Sequence, residues 1–110
     1  MLFRSIVPYL ERIRARFEQP ETRSAFQGFA RIIQFVFTDL QRNFALSIAQ
    51  DGNATLTEVT VPQPDIKVTT SSDILAGILD RTVNPELAFI TRKVKVSGSM
   101  EDLLKLQKLL

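Results

Sequence analysis

Ile33-Gln-Phe-Val-Phe-Thr38 and Asn43-Phe-Ala-Leu-Ser-Ile-Ala49 are the two stretches whose reading decides the fold. In each, every second side chain is large and apolar: Ile33, Phe35 and Phe37 in the first, Phe44, Leu46 and Ile48 in the second. Side chains alternate across a pleated strand, so each trio shares one face, and both stretches are predicted to be adjacent β-strands with a common apolar side. Asp51-Gly52 then offers residues that accept the positive φ of a two-residue hairpin. Ala54-Thr-Leu-Thr-Glu-Val-Thr-Val61 follows as a third strand, which closes an antiparallel meander.

Working downstream, Pro62-Gln-Pro64 breaks the meander, and residues 65–70 read as a fourth strand with Ile66 and Val68 inward. Ser71 or Ser72 caps a helix over 72–80 that places Asp73 in its first turn and buries Ile74, Leu75, Ile78 and Leu79. Asn84-Pro85 opens another short helix, with Asn84 as cap and Pro85 in the first turn, where a missing amide costs nothing. Lys93-Val-Lys-Val-Ser97 alternates as strand five, Gly98 ends it, and residues 99–110 form a closing helix with Ser99 as cap and Asp102 at the capping-box position.

Working upstream, Phe3, Ile6, Val7, Leu10, Ile13 and Phe17 recur at helical spacing, which predicts an amphipathic helix over 3–17 whose other face carries Arg4, Arg12, Arg14 and Arg16. Pro8 either bends this helix or marks a delayed start. Pro20 opens a short second helix, for which Gly28 is the stop. The whole is an α+β domain spanning residues 1–110: one five-stranded, mostly antiparallel sheet covered by about five helices.

Composition narrows the chemistry. The chain has no histidine and no cysteine, which removes the commonest general base, the thiol nucleophile, disulfides and the usual transition-metal ligands. Carboxylates fall singly at turns and caps, and the four glycines make no phosphate loop, so no catalytic residue, metal site or cofactor is predicted. The net charge of +2 is split into basic ends and an acidic middle, without the basic stripe and interleaved aromatics of a nucleic-acid binder. No apolar run is long enough to span a bilayer and the first residues do not read as a secretory signal, so a cytoplasmic protein is expected.

Large apolar side chains are what remains, eight phenylalanines among them. Met100, Leu103, Leu104, Leu106, Leu109 and Leu110 spread over more of the closing helix than packing on a sheet requires, so part of that surface calls for another partner.

The stretch Asp80-Arg-Thr-Val-Asn-Pro-Glu-Leu-Ala-Phe-Ile-Thr-Arg-Lys-Val-Lys-Val-Ser-Gly-Ser-Met-Glu-Asp-Leu-Leu-Lys-Leu106 resembles the sterol carrier protein type 2 domain family, with its Pro-led turn, Ala-Phe, alternating Lys and branched residues, Gly and Leu-rich final helix. Phe44 to Gly52, Pro64-Asp-Ile-Lys-Val-Thr69 and the helix at Asp73 fit the earlier elements in order. The resemblance implies an apolar cavity or tunnel between sheet and helices. By position it implies a lining of Phe35, Phe37, Phe44, Leu46, Ile48, Ile78, Leu79, Phe89, Met100, Leu103, Leu104 and Leu106. The function it implies is non-catalytic carriage of a lipid, sterol, fatty acyl or quinone-like ligand; the basic face of the first helix, with Arg4, Arg12, Arg14 and Arg16, is separately expected to approach an anionic membrane surface. An accessory subunit holding a quinone-type intermediate, or a homodimeric interaction module, is the alternative. Arg92 departs from the pattern, standing where the family commonly has glycine, which predicts a changed turn or a cation at a pocket mouth. The ending Gln107-Lys-Leu-Leu110 is not a Ser-Lys-Leu peroxisomal address.

Overall fold

In a computed structural model, which describes residues 6–106 and side chains as far as Lys105, five strands run β1 (Arg31–Phe37), β2 (Arg42–Ile48), β3 (Ala54–Thr57), β4 (Ile66–Thr70) and β5 (Val94–Ser97). The helices are α1 (Val7–Ala15), α2 (Pro20–Ala25), α3 (Ser72–Leu79), α4 (Pro85–Ile90) and α5 (Met100–Leu106). The expectations for Phe3, Arg4, Leu109, Leu110 and the Leu106 side chain lie outside the described residues.

The strand order is β3-β2-β1-β4-β5, antiparallel throughout except for the parallel pair β1 and β4. Register lines Ile33 up with Leu46 and Ile66, Phe35 with Phe44 and Val68, and Val68 with Val96, so one face of the sheet is apolar from end to end. Ile33, Phe37, Leu46 and Ile66 on that face are almost wholly removed from water.

Placing β4 beside β1 corrects the third strand. It stops at Thr57 instead of running to Val61, because β3 is an edge and the chain must cross β2 to reach the far side of β1. The crossing segment lies on the sheet's other face, where Gln34 holds it. Gln34 is buried there, donating through Nε2 to the carbonyls of Phe44 and Val59 and accepting from the Val61 amide through Oε1. A buried amide with both ends paired is stabilising where an unpaired one would be costly. The Asn43 amide donates to Thr60, and Arg42 grips Glu58 with two hydrogen bonds of 2.8 and 2.9 Å.

Pro8 lies in the first turn of α1, so it marks a delayed start and not a bend. The helix ends at Ala15, short of Phe17, which belongs to a following 3-10 turn, Arg16–Glu18. Ile6, Leu10, Ile13 and Phe17 are buried, and Phe17, Phe26 and Phe29 meet edge to face at 5.2 and 5.4 Å between centroids. Five residues, 49–53, join β2 to β3, more than the expected two: the Asp51 carboxylate accepts from the Asn53 amide and the Ala49 amide closes on the Asn53 carbonyl. That local turn widens the loop around Gly52 (φ +87°), which packs on the backbone of α2.

Ser71 is the cap of α3, its hydroxyl accepting from Ile74, while the Ser72 amide and hydroxyl donate to Asp39 in the β1–β2 turn. Burial works to raise the Asp39 carboxyl, but these bonds outweigh it and hold its pKa below the usual carboxylate value. The buried side of α3 runs through Ser72, Leu75, Ala76 and Gly77. Of the four residues expected to be buried there only Leu75 is; Ile74, Ile78 and Leu79 are half-buried, and the buried side includes Gly77, where a Cβ would collide with the Val83 side chain. Ser99 caps α5 as expected. Asp102 does not act as a capping-box carboxylate; it is buried and accepts from the Arg31 guanidinium at 3.1 Å, which ties α5 to the start of β1.

Candidate ligand-binding grooves

The twelve residues expected to line a cavity stand in four places. Phe35, Phe37, Phe44, Leu46 and Ile48 share the apolar face of the sheet and are packed, with Phe35 stacked on Phe37 at 6.4 Å and Phe37 edge-on to Phe44 at 6.0 Å. Leu103 packs against this core from α5, whereas Met100 and Leu104 on the same helix face outward. Lys105 reaches back over the rings of Phe26 and Phe29, 5.8 and 5.4 Å from their centroids, a second tie between α5 and the body of the protein. Ile78 and Leu79 are half-buried at the end of α3, and Phe89 is exposed on α4. Leu106 belongs to α5, with its side chain outside the description.

A groove of about 380 Å³ opens between α4 and β5, lined by Phe89, Ile90, Arg92, Val94, Lys95 and Val96. Val94 and Val96 pair in register with Thr70 and Val68, so its floor is continuous with the sheet's apolar face. Alternation predicts the inward turn of the two valines; nothing local shows that Phe89 and Ile90 would form the opposite wall.

Arg92 sits at this groove in the left-handed conformation, φ +63°. Its amide donates to the Phe89 carbonyl and that of Lys93 to the Ala88 carbonyl, the paired bonds that close a helix on a residue of positive φ. The turn is therefore the one a glycine would make, and of the two outcomes predicted for Arg92 the structure shows the cation beside a groove. Arg81 does the same after α3, at φ +65°, with the Arg81 and Thr82 amides donating to Ile78 and Gly77. It lines a second groove of about 530 Å³ with Arg16, Ile78, Leu79, Thr82, Val83, Asn84 and Pro85. A non-glycine residue pays roughly 1–2 kcal/mol for this conformation. Arg92→Gly should relieve that strain, give back about 0.4–1 kcal/mol through its freer unfolded chain, and raise the melting temperature by a few degrees in a thermal unfolding scan.

The basic first helix is largely self-engaged. Arg14 pairs with Glu11 at 2.8 Å and Glu18 at 3.1 Å, and Arg12 pairs with Asp80 at 3.3 Å, where the Tyr9 hydroxyl also donates. Among the described residues no group of three or more His, Cys, Asp or Glu is placed to hold a metal, and no helix is long and apolar enough to cross a membrane.

The fold recurs in solved structures. Sterol Carrier Protein 2 Like 2 from Aedes aegypti is 18% identical, with 96% of this chain covering 95% of that one at a TM-score of 0.75. A UbiJ-SCP2 ubiquinone synthesis protein is 13% identical, with 96% of each chain covered at a TM-score of 0.66. The stereoselective inverting sec-alkylsulfatase Pisa1 from Pseudomonas sp. is 25% identical over 80% of this chain, at a TM-score of 0.67, but this chain spans only 14% of the sulfatase. No curated protein matches the sequence. Residues 10–110 match the SCP-2 sterol transfer family, and with the sheet order, the apolar sheet face and the closing helix all in place, the chain belongs to that family.

Proposed function

We propose that residues 1–110 act as one domain that binds and carries a lipid or similar hydrophobic molecule, without catalysis, between the apolar face of the sheet and the helices. The observation that carries this reading is the α4–β5 groove, whose valine floor runs into the sheet's apolar face. Its volume of about 380 Å³ is within the range of small-molecule sites. Burying some fifteen methylenes there and beneath the helices would supply about 12 kcal/mol of gross transfer free energy, before ordering costs.

The packed phenylalanines fit this reading. A rigid empty space of about 300 Å³ would cost on the order of 7 kcal/mol, comparable to the stability of a whole domain. The unliganded protein is therefore expected to close on itself, with α5 giving way when ligand enters. Among the twelve residues named from the sequence, the sheet's aromatic and aliphatic side chains are the proposed floor and Leu103 the proposed lid contact. The likeness to a ubiquinone synthesis protein favours, as a second reading, an accessory subunit that holds a quinone-type intermediate for partner enzymes.

Organic extraction and mass spectrometry of the purified protein, beside an intact native spectrum, tests both. One lipid per protein is the expected result, and its chemical class separates acyl, sterol and quinone ligands. Bare monomer that takes up no lipid from vesicles would overturn carriage; bare dimer would move the assignment to a homodimeric interaction module.

A further inference from the structure

Helix α4 leaves its large apolar side chains in the open. Of its residues only Ala88 is buried, while Leu87, Phe89 and Ile90 are each more than half exposed, Ile90 with 72% of its surface, and Phe89 and Ile90 stand along the groove. A helix that served only to cover the sheet would bury those three. Asn84 fixes this orientation from one end, accepting from the amides of Glu86 and Leu87 at 2.8 and 3.2 Å, and the left-handed turn at Arg92 fixes it from the other. Cations bracket the exposed apolar side chains. Arg81 precedes the helix, and Arg92, Lys93 and Lys95 follow it within five residues, all exposed. Among the described residues none of these four has a carboxylate partner; the acids nearest in sequence are Asp80, which precedes Arg81 and pairs with Arg12, Glu86 in the first turn of α4 and Glu101 in the first turn of α5.

We propose that the α4–β5 corner is the face by which this protein docks on an anionic phospholipid bilayer, with Leu87, Phe89 and Ile90 entering the headgroup boundary and Arg92, Lys93 and Lys95 lying over acidic headgroups. Short amphipathic elements bind in the plane of the interface by this combination of apolar burial and cationic attraction. A second copy of the chain is a poorer occupant, because a two-fold contact would set the same cations against themselves. The inference deepens the carrier reading, on which its purpose rests: docking would bring the groove's mouth, where Phe89 and Ile90 stand, against the bilayer that supplies or receives the ligand. On α1, by comparison, Arg12 and Arg14 already stand in ion pairs.

The test is co-sedimentation with phosphatidylcholine vesicles, with and without phosphatidylserine, at low and high salt. Wild-type protein should bind the serine-containing vesicles and lose that binding as salt rises. Lys93→Gln and Lys95→Gln should each weaken it about fivefold, the effect of one cation near an anionic leaflet. Leu87→Ser with Ile90→Ser should abolish it, with the circular dichroism spectrum unchanged because both side chains are exposed. Arg92→Gly, expected to be more stable than wild type, should bind more weakly, a loss that misfolding does not explain. Equal binding to neutral vesicles, no binding, or binding untouched by these variants would overturn the proposal. So would a dimer in sedimentation equilibrium that Ile90→Ser dissolves, which would assign the face to a second copy. Extraction of a bound lipid is read separately: none found while phosphatidylserine-dependent binding persists would sink carriage alone, and the reverse would sink docking alone.

Discussion

Phe37→Ala should lower the unfolding free energy by about 3–5 kcal/mol and the melting temperature by roughly 10–20 °C. Phe37 has no exposed surface, lies parallel to Phe35 and meets Phe44 edge-on, so truncation removes a ring from the middle of a packed row. The loss combines the transfer free energy of the ring with the space it leaves. Phe89→Ala is the matched control. That ring is more than half exposed, and its removal should change stability by no more than about 0.5 kcal/mol. Urea denaturation of both variants, with and without added lipid, separates two descriptions of the sheet's apolar face. If the phenylalanines are its packing in the unliganded protein, Phe37→Ala costs the full amount without ligand. A loss below about 1 kcal/mol would show that the ring borders a cavity and not a core.

Gly52→Ala should be nearly as damaging for a different reason. Gly52 has φ +87°, and a Cβ there would stand 2.7 Å from the Arg23 carbonyl oxygen and 2.9 Å from the Arg23 Cα. The conformation alone costs an alanine roughly 1–2 kcal/mol, and the contact is with backbone, which cannot rotate aside. The β2–β3 loop and α2 would have to separate, so the total should exceed about 2 kcal/mol. Gly28→Ala isolates the first part, because Gly28 has φ +82° with nothing within 4 Å of a Cβ. The difference between the two variants in thermal unfolding measures how tightly α2 is seated on the hairpin. Equal losses would mean that the close approach at Arg23 carries no stability.

Much of the architecture was legible in short windows. Ile33, Phe35 and Phe37 and then Phe44, Leu46 and Ile48 announced strands because a period of two is a property of the backbone itself. Asn84 announced a helix start because its side chain needs only the next two amides. The block from Asp80 to Leu106 carried the family resemblance. The grooves were not legible. In Pro85–Ile90 the five side chains after the proline are Glu, Leu, Ala, Phe and Ile, and so short a helix has no periodicity that says which side faces the sheet. Arg92 was visible as a departure from glycine, but only the hydrogen bonds from its own amide and that of Lys93 show that the left-handed turn was kept.

The sequence by itself determined the order of strands and helices, the Asn84 and Ser99 caps, the apolar side of the sheet and the absence of histidine and cysteine chemistry, because each is a matter of residue type and spacing within a turn or two of chain. Only the tertiary structure decided that β4 joins β1 in parallel, that Gln34 holds the crossing segment, that Asp102 serves Arg31 across 71 residues of chain, and that α4 shows its large apolar side chains to the outside. These are choices of partner between segments far apart in sequence. They are settled when the whole sheet face competes for burial, and no local pattern encodes the winner.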